Sequence, residues 1–236
     1  MSLCHILGTP MTVSGVGPVY PIRIKDFEEF AMLQHIITDY NIKTLKLDED
    51  INLFEFLLFT DIANGCKDNI INGITTILQL VTRNNNVIFD VQKGIFIIDQ
   101  DHCLNSSNYE DFRQAVMKQN ILFEPIVYPN EVMRIWAEKA KAAKAKKEKP
   151  ITLEGVIRTV SVFTGKHYKD IAEYTIYQIF SDFYGVRKIK DFDFTTLLIS
   201  QGAKINLSDY AEDIDMFKHP DENLFKNQEN SSLLGG

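Results

Sequence analysis

NEVMRIWAEKAKAAKAKKEKP, residues 130–150, decides how this chain is divided. The run favours helix throughout, but after Trp136 its large apolar residues vanish, leaving Ala, Lys and Glu until Pro150. A helix that loses its apolar stripe cannot bury its later turns. The pattern predicts a helix that projects into solvent and joins two packed units, because Phe, Ile and Leu are abundant on both sides. The expected organisation is α+β. A mixed α/β unit with short strands and a β-hairpin covers 1–129, the linker helix 130–150, a small all-helical bundle 151–219, and a flexible tail 220–236.

At 236 residues the chain is long enough for one large or two small cores. Its composition, 45% hydrophobic and 24% charged, is that of a globular protein and not of a disordered one. A net charge of −7 argues against binding a phosphate backbone, which rests on clustered Lys and Arg. The local exception is the seam, where Arg134, Lys139, Lys141, Lys144, Lys146, Lys147 and Lys149 outnumber Glu131, Glu138 and Glu148. That face reads first as solvated helix and second as a docking site for an acidic partner. The N-terminus lacks a cationic start and a sustained apolar stretch, which argues against a secretory signal. INLFEFLLF (51–59) is too short to span a bilayer. Cys4, Cys66 and Cys103 are odd in number and widely spaced, and read as buried thiols in a reducing cytoplasm.

North of the seam, residues 1–24 suit short strands around Gly8, Pro10, Gly15, Gly17, Pro18 and Pro21, with VYPIRI (19–24) the best strand. Asp26 is placed to cap a helix reaching about Tyr40, and apolar helices follow near 51–64 and 69–83. NVIFDVQKGIFIID (86–99) reads as a hairpin turning at Gln92-Lys93-Gly94. Residues 106–120 should form a helix buried through Tyr109, Phe112 and Val116. Beyond the seam, Thr152 should cap a helix that stops at Gly165. Further helices are expected at 169–184 (ended by Gly185), at 191–201 and at 207–217.

Chemistry is harder to find. Cys4-His5 and His102-Cys103 offer four metal-ligand types, but adjacent residues on extended chain face opposite ways and do not share one zinc ion. The acidic stretches lack a calcium-loop pattern. Gly15-Val16-Gly17-Pro18 lacks the third glycine and following helix of a dinucleotide fingerprint. No cofactor, metal or catalytic residue is expected, and the chain is read as a non-enzyme. The aromatic crowd at 168–194 is more telling. Tyr177, Phe180 and Tyr184 share a helical face with Tyr174 close by, and tyrosine is enriched at interfaces as well as in cores. The candidate partner-binding residues are therefore Tyr174, Tyr177, Phe180 and Tyr184, with Trp136, Lys141 and Lys144 on the seam.

AEYTIYQIFSDFYGVRKIKDFDFTTLLISQGAK (172–204), following a Lys/Ala-rich helix, resembles the C-terminal half of proteins encoded in tail-morphogenesis clusters of tailed bacteriophages. Thr175, Ile176, Tyr177, Gln178 and Phe180 match the characteristic phrase of those proteins. GVGPVYPIRIKDFEEF (15–30) is similar to their opening, through Tyr20, Pro21, Asp26 and Phe30. The resemblance implies a non-enzymatic tail or baseplate component, or a chaperone that assembles one. Its partners would be other phage tail proteins, with oligomer formation open and neither nucleic acid nor membrane involved. It would act in the host cytoplasm during assembly or reside in the virion tail. A cytoplasmic regulatory adaptor would use the same surfaces, whereas an enzyme would need a deep pocket with convergent titratable groups.

Overall fold

The computed structural model describes residues 3–147, 151–207, 209–211 and 215–219, without the side chains of Lys144 and Lys147. The tail expected over 220–236 lies outside them. The fold is α+β. In chain order it comprises α1 (Leu3–Leu7), β1 (Met11–Val13), β2 (Gly17–Val19), a 3-10 turn (Ile24–Asp26), α2 (Phe27–Thr38), α3 (Ile42–Leu45), α4 (Leu53–Ala63) and α5 (Ile70–Thr82). Then come β3 (Ile88–Asp90), β4 (Ile95–Ile97), β5 (Cys103–Leu104), α6 (Tyr109–Gln119), α7 (Glu131–Lys147), α8 (Leu153–Thr164), α9 (Tyr168–Ile171) and α10 (Ile176–Ser200).

Two small antiparallel sheets result. β1 pairs with β2 so that Met11 faces Val19 and Val13 faces Gly17. β3 pairs with β4 across the expected hairpin, with Ile88 opposite Ile97 and Gly94 supplying the positive φ of the turn. β5 adds a third strand, Phe96 facing Leu104. The N–H of Cys103 donates to the carbonyl of Gly15 at 2.7 Å, which ties one sheet to the other. Helices α2, α4, α5 and α6 close over them around Phe30, Ile37, Phe54, Ile74, Phe96 and Phe112. Arg113 is buried at the rim of this core, 1% exposed, yet fully engaged. Its Nε donates to the Ile37 carbonyl at 2.6 Å, and its Nη atoms pair with Glu110 (3.0 Å) and Glu124 (2.6 Å). Such pairing is what makes a buried guanidinium tolerable.

The second core is small: Val156, Val160, Ile171, Ile179 and Phe183, from α8, α9 and α10. Thr152 caps α8 by accepting the Gly155 N–H, and Gly165 ends it in the left-handed conformation. This unit is not held away from the first. Residues 20–25 run between the two cores and bond to both. The Tyr20 N–H donates to Val81 and the Ile22 N–H to Asn120 Oδ1, both on the first core. The Ile24 N–H then donates to Tyr174 and the Lys25 N–H to Ala172, both on the second.

Several expectations are corrected. Residues 3–7 form a helix, not a strand, because this turn docks on α10, where Gln178 Nε2 donates to the Ile6 carbonyl at 2.9 Å. Of VYPIRI only Val19 lies in a strand, since Tyr20 and Ile22 bond to the first core and Ile24 to the second. Asp26 occupies the position before α2, but its carboxylate turns to Arg23 at 2.9 Å and caps nothing. Gly185 does not end a helix. The expected helices 169–184 and 191–201 are α9 and one continuous α10, because an interior glycine costs a helix only about 1 kcal/mol. No helix occurs among the described residues of 207–217, and Ser208 and residues 212–214 lie outside them. Cys4 and Cys66 are at the surface, not buried.

Asn120 is buried, and its amide both accepts from Ile22 and donates to the Val116 carbonyl at 2.8 Å. Asn120→Ala strands the Ile22 N–H, at a cost of about 2 kcal/mol. Calorimetry should show Tm falling by about 4–8 °C for a chain of this size. A drop of less than about 1 °C would mean that another group takes over that N–H.

Candidate interaction surface

The phrase Thr175-Ile176-Tyr177-Gln178 starts α10, and each of its residues has a structural task. Thr175 and Gln178 form a reciprocal capping box: the Gln178 N–H donates to Thr175 Oγ1 (3.2 Å) and the Thr175 N–H to Gln178 Oε1 (2.9 Å). With its other end Gln178 holds α1. Ile176 is buried. Tyr177 is 1% exposed, 5.4 Å from the ring of His5 and stacked at 5.8 Å on Phe217. Tyr177 is thus an internal packing residue, a correction to its expected place on a partner surface. The position that opens α10 meets α1 on that side, so solvent has no access there.

The other aromatic candidates are half-buried. The Tyr174 carbonyl belongs to the junction with Ile24, and its hydroxyl meets Lys166 Nζ, whose pKa that hydrogen bond raises. Phe180 and Tyr184, with ring centroids 6.2 Å apart, share a shallow groove of about 390 Å³ with Ile121, Phe123, Ile176 and Met216. The structure therefore brings Phe180 and Tyr184 together at an apolar opening and sends Tyr174 and Tyr177 elsewhere.

On α7, Trp136 is 58% exposed, and Val132, Met133 and Ile135 beside it are exposed too. Arg134 is held by the flanking Glu131 and Glu138, and the guanidinium keeps the Glu131 carboxyl below the usual carboxylate range. Lys141 is on the surface, and the Lys144 side chain lies outside the described atoms. Ala137 alone among the described side chains of α7 is buried.

One apolar surface had no place among the expected sites. Ile176, Tyr177, Ile179 and Phe183 are buried in α10, but beyond Phe183 no residue of that helix is buried. Phe194, Leu197 and Ile189 are 61%, 54% and 50% exposed. The signal was available in the sequence. VRKIKDFDFTTLLI (186–199) carries apolar residues on every side, a pattern found in helices covered by other protein.

Neither histidine–cysteine pair converges. His5 sits against Tyr177 and Phe217, while His102 Nδ1 lies 2.9 Å from Asp99, whose pKa that contact lowers. Among the described residues no group of three or more His, Cys, Asp and Glu is arranged to hold a metal ion. No described helix is long and apolar enough to cross a membrane.

Residues 144–215, which hold α8 to α10, match the family described as YomV second domain. The whole chain is similar to the SPbeta prophage-derived uncharacterized protein YomV of Bacillus subtilis (strain 168). The two are 22% identical over 240 residues, a span covering 98% of this chain and 96% of that one. No solved structure matches. The similarity points to a phage-related protein.

The junction between the cores is clasped by Glu173, which pairs with Lys25 and, at 3.3 Å, with Arg23. These cations, Lys25 foremost, hold its carboxyl below the usual glutamate range. A depressed carboxyl stabilises the fold above its unfolded pKa, and that gain disappears as pH falls through the lower folded value. Glu173→Gln should therefore melt below the wild type at pH 6 and coincide with it near pH 3. Because the carboxylate is exposed, the gap at pH 6 should be small. A gap that persists unchanged into acid would show that the clasp is not ionic.

Proposed function

We propose that this chain is a non-enzymatic tail or baseplate protein of a tailed phage, working by binding other tail proteins. It acts either as a virion component or as an assembly chaperone in the host cytoplasm. The observation that carries the reading is the exposed apolar face of α7 around Trp136, on a helix otherwise made of Ala, Lys and Glu. Water-facing Trp, Met and Ile on a solvated helix are costly unless another chain covers them, and Trp is a frequent energetic anchor of interfaces. The groove at Phe180 and Tyr184 offers a second apolar foothold. Support for the phage setting comes from the full-length similarity to a prophage-derived protein.

The test is affinity capture of the tagged chain from phage-infected cells, with the co-purifying proteins identified. A tail protein should be recovered, and Trp136→Ala should reduce its yield at least about tenfold, the loss expected of an anchor residue. Detection in purified virions assigns a component, and recovery from lysate alone assigns a chaperone. Absence of every tail protein from both preparations would remove this reading.

A further inference from the structure

We propose that the partner bound at Trp136 lays an acidic helix along α7, with apolar residues on Val132 and Trp136 and two carboxylates on Lys139 and Lys146. This rests on the reading of α7 as a binding surface, and it adds what the bound segment is made of.

The first ground is where the residues fall around the helix. Each position turns by about 100°, so Val132, Ile135, Trp136, Lys139, Ala143 and Lys146 occupy a single arc of about 100°. All six are exposed. The buried Ala137 lies on the other side, with Met133 and Ala140 next to it. Val132, Trp136, Lys139, Ala143 and Lys146 advance by four, three, four and three residues. That is the spacing by which one helix seats against another. Glu131 and Glu138 stand outside the arc, where both hold Arg134. Lys139 and Lys146 have no Asp or Glu three or four positions away in either direction. Among the described residues no carboxylate pairs with either of them. Lys141 faces elsewhere and is already engaged.

The second ground is charge, and it selects the occupant. Two uncompensated ammonium groups, about 10 Å apart along the axis, continue the line that Val132 and Trp136 begin. Whatever covers this line must therefore be apolar at one end and negative at the other. On a partner helix the same interval is two turns, so carboxylates seven residues apart meet both lysines. The small Ala143 between them lets a facing helix approach closely. An anionic bilayer answers less well. A helix lying in a membrane interface keeps its lysines on the face opposite its apolar one. Here Lys139 and Lys146 share the apolar face, and lying on lipid would press them toward hydrocarbon. A phosphate backbone would meet the lysines but leave Val132 and Trp136 nothing apolar to cover them. Apolar contact thus supplies the affinity, while the two lysines set direction and register.

Trp136 is the sole tryptophan, so the fluorescence of the full chain reports on this face. The probes are two synthetic helical peptides, one with leucines in its first half and glutamates at seven-residue spacing in its second, the other with that order reversed. At low salt one of them should move the emission to shorter wavelength in a saturable titration, and added salt should weaken it. K139E/K146E should keep the circular dichroism and Tm of the parent, because both sites are exposed. It should bind that peptide at least about tenfold more weakly. The same peptide with lysines in place of its glutamates should lose the wild type and bind K139E/K146E to within a few-fold of the original pair. Failure of both peptides up to millimolar concentration, or binding indifferent to the charge exchange, overturns the proposal. A shift on phosphatidylserine vesicles instead would assign the face to lipid. Capture from infected cells separates this inference from the tail reading. If Trp136→Ala loses the tail protein and K139E/K146E retains it, the tail reading stands and the acidic helix falls. If the peptides bind as expected and no tail protein is captured, the reverse holds.

Discussion

The structure turns on one short stretch of backbone, Tyr20 to Lys25, which two cores share. Its amides bond first to one side and then to the other: Tyr20 to Val81, Ile22 to Asn120, Ile24 to Tyr174, Lys25 to Ala172. Its side chains divide in the same way, Ile22 entering the large core and Ile24 resting on the small one. Among the described residues the smaller core has five buried side chains and would bury little apolar surface by itself. It gains from the larger one a row of hydrogen-bond partners, the contact between α1 and α10, and the clasp at Glu173. Asn120 and Arg113 hold the larger core's side of this arrangement, since each satisfies backbone groups that would otherwise be buried without partners.

Much of this was legible in local pattern. The helix near 51–64 declared itself through its apolar run, and the hairpin at 86–99 through Gly94 at the turn. The burial of Tyr109, Phe112 and Val116 followed from their helical spacing. What the sequence hid was nonlocal. Nothing around Leu3–Leu7 announces a helix, because that turn is fixed by Gln178, some 170 positions later. VYPIRI has the composition of a strand, yet it meets no single neighbour along its length. Gly185 was a misleading stop signal, since its effect on a helix is small beside the continuous hydrogen bonding on either side.

The site was less legible than the fold for a related reason. Tyrosine at 177 and tyrosine at 184 look alike in sequence, and only the placement of α1 and Phe217 sends one inside and leaves the other at a groove. The phrase around Thr175 works as architecture, namely a cap, a core contact, a stacked ring and a strut to the residues of α1. A motif of that kind marks common construction more firmly than common partners. The surfaces available to partners lie where the pattern becomes permissive: the apolar beginning of α7 and the far end of α10.

The shared stretch also constrains the order in which the molecule is made. Residues 20–25 leave the ribosome early, but the carbonyls of Ala172 and Tyr174 that complete them are synthesised about 150 positions later. Until then the nascent chain carries amides with no mate and an Ile24 with nothing to rest on, and closing so distant a contact is slow. Products that terminate at the Lys/Ala helix would keep that edge raw and prone to stick to one another. Residues 172–174 therefore act as the fastener of a stretch made well before them.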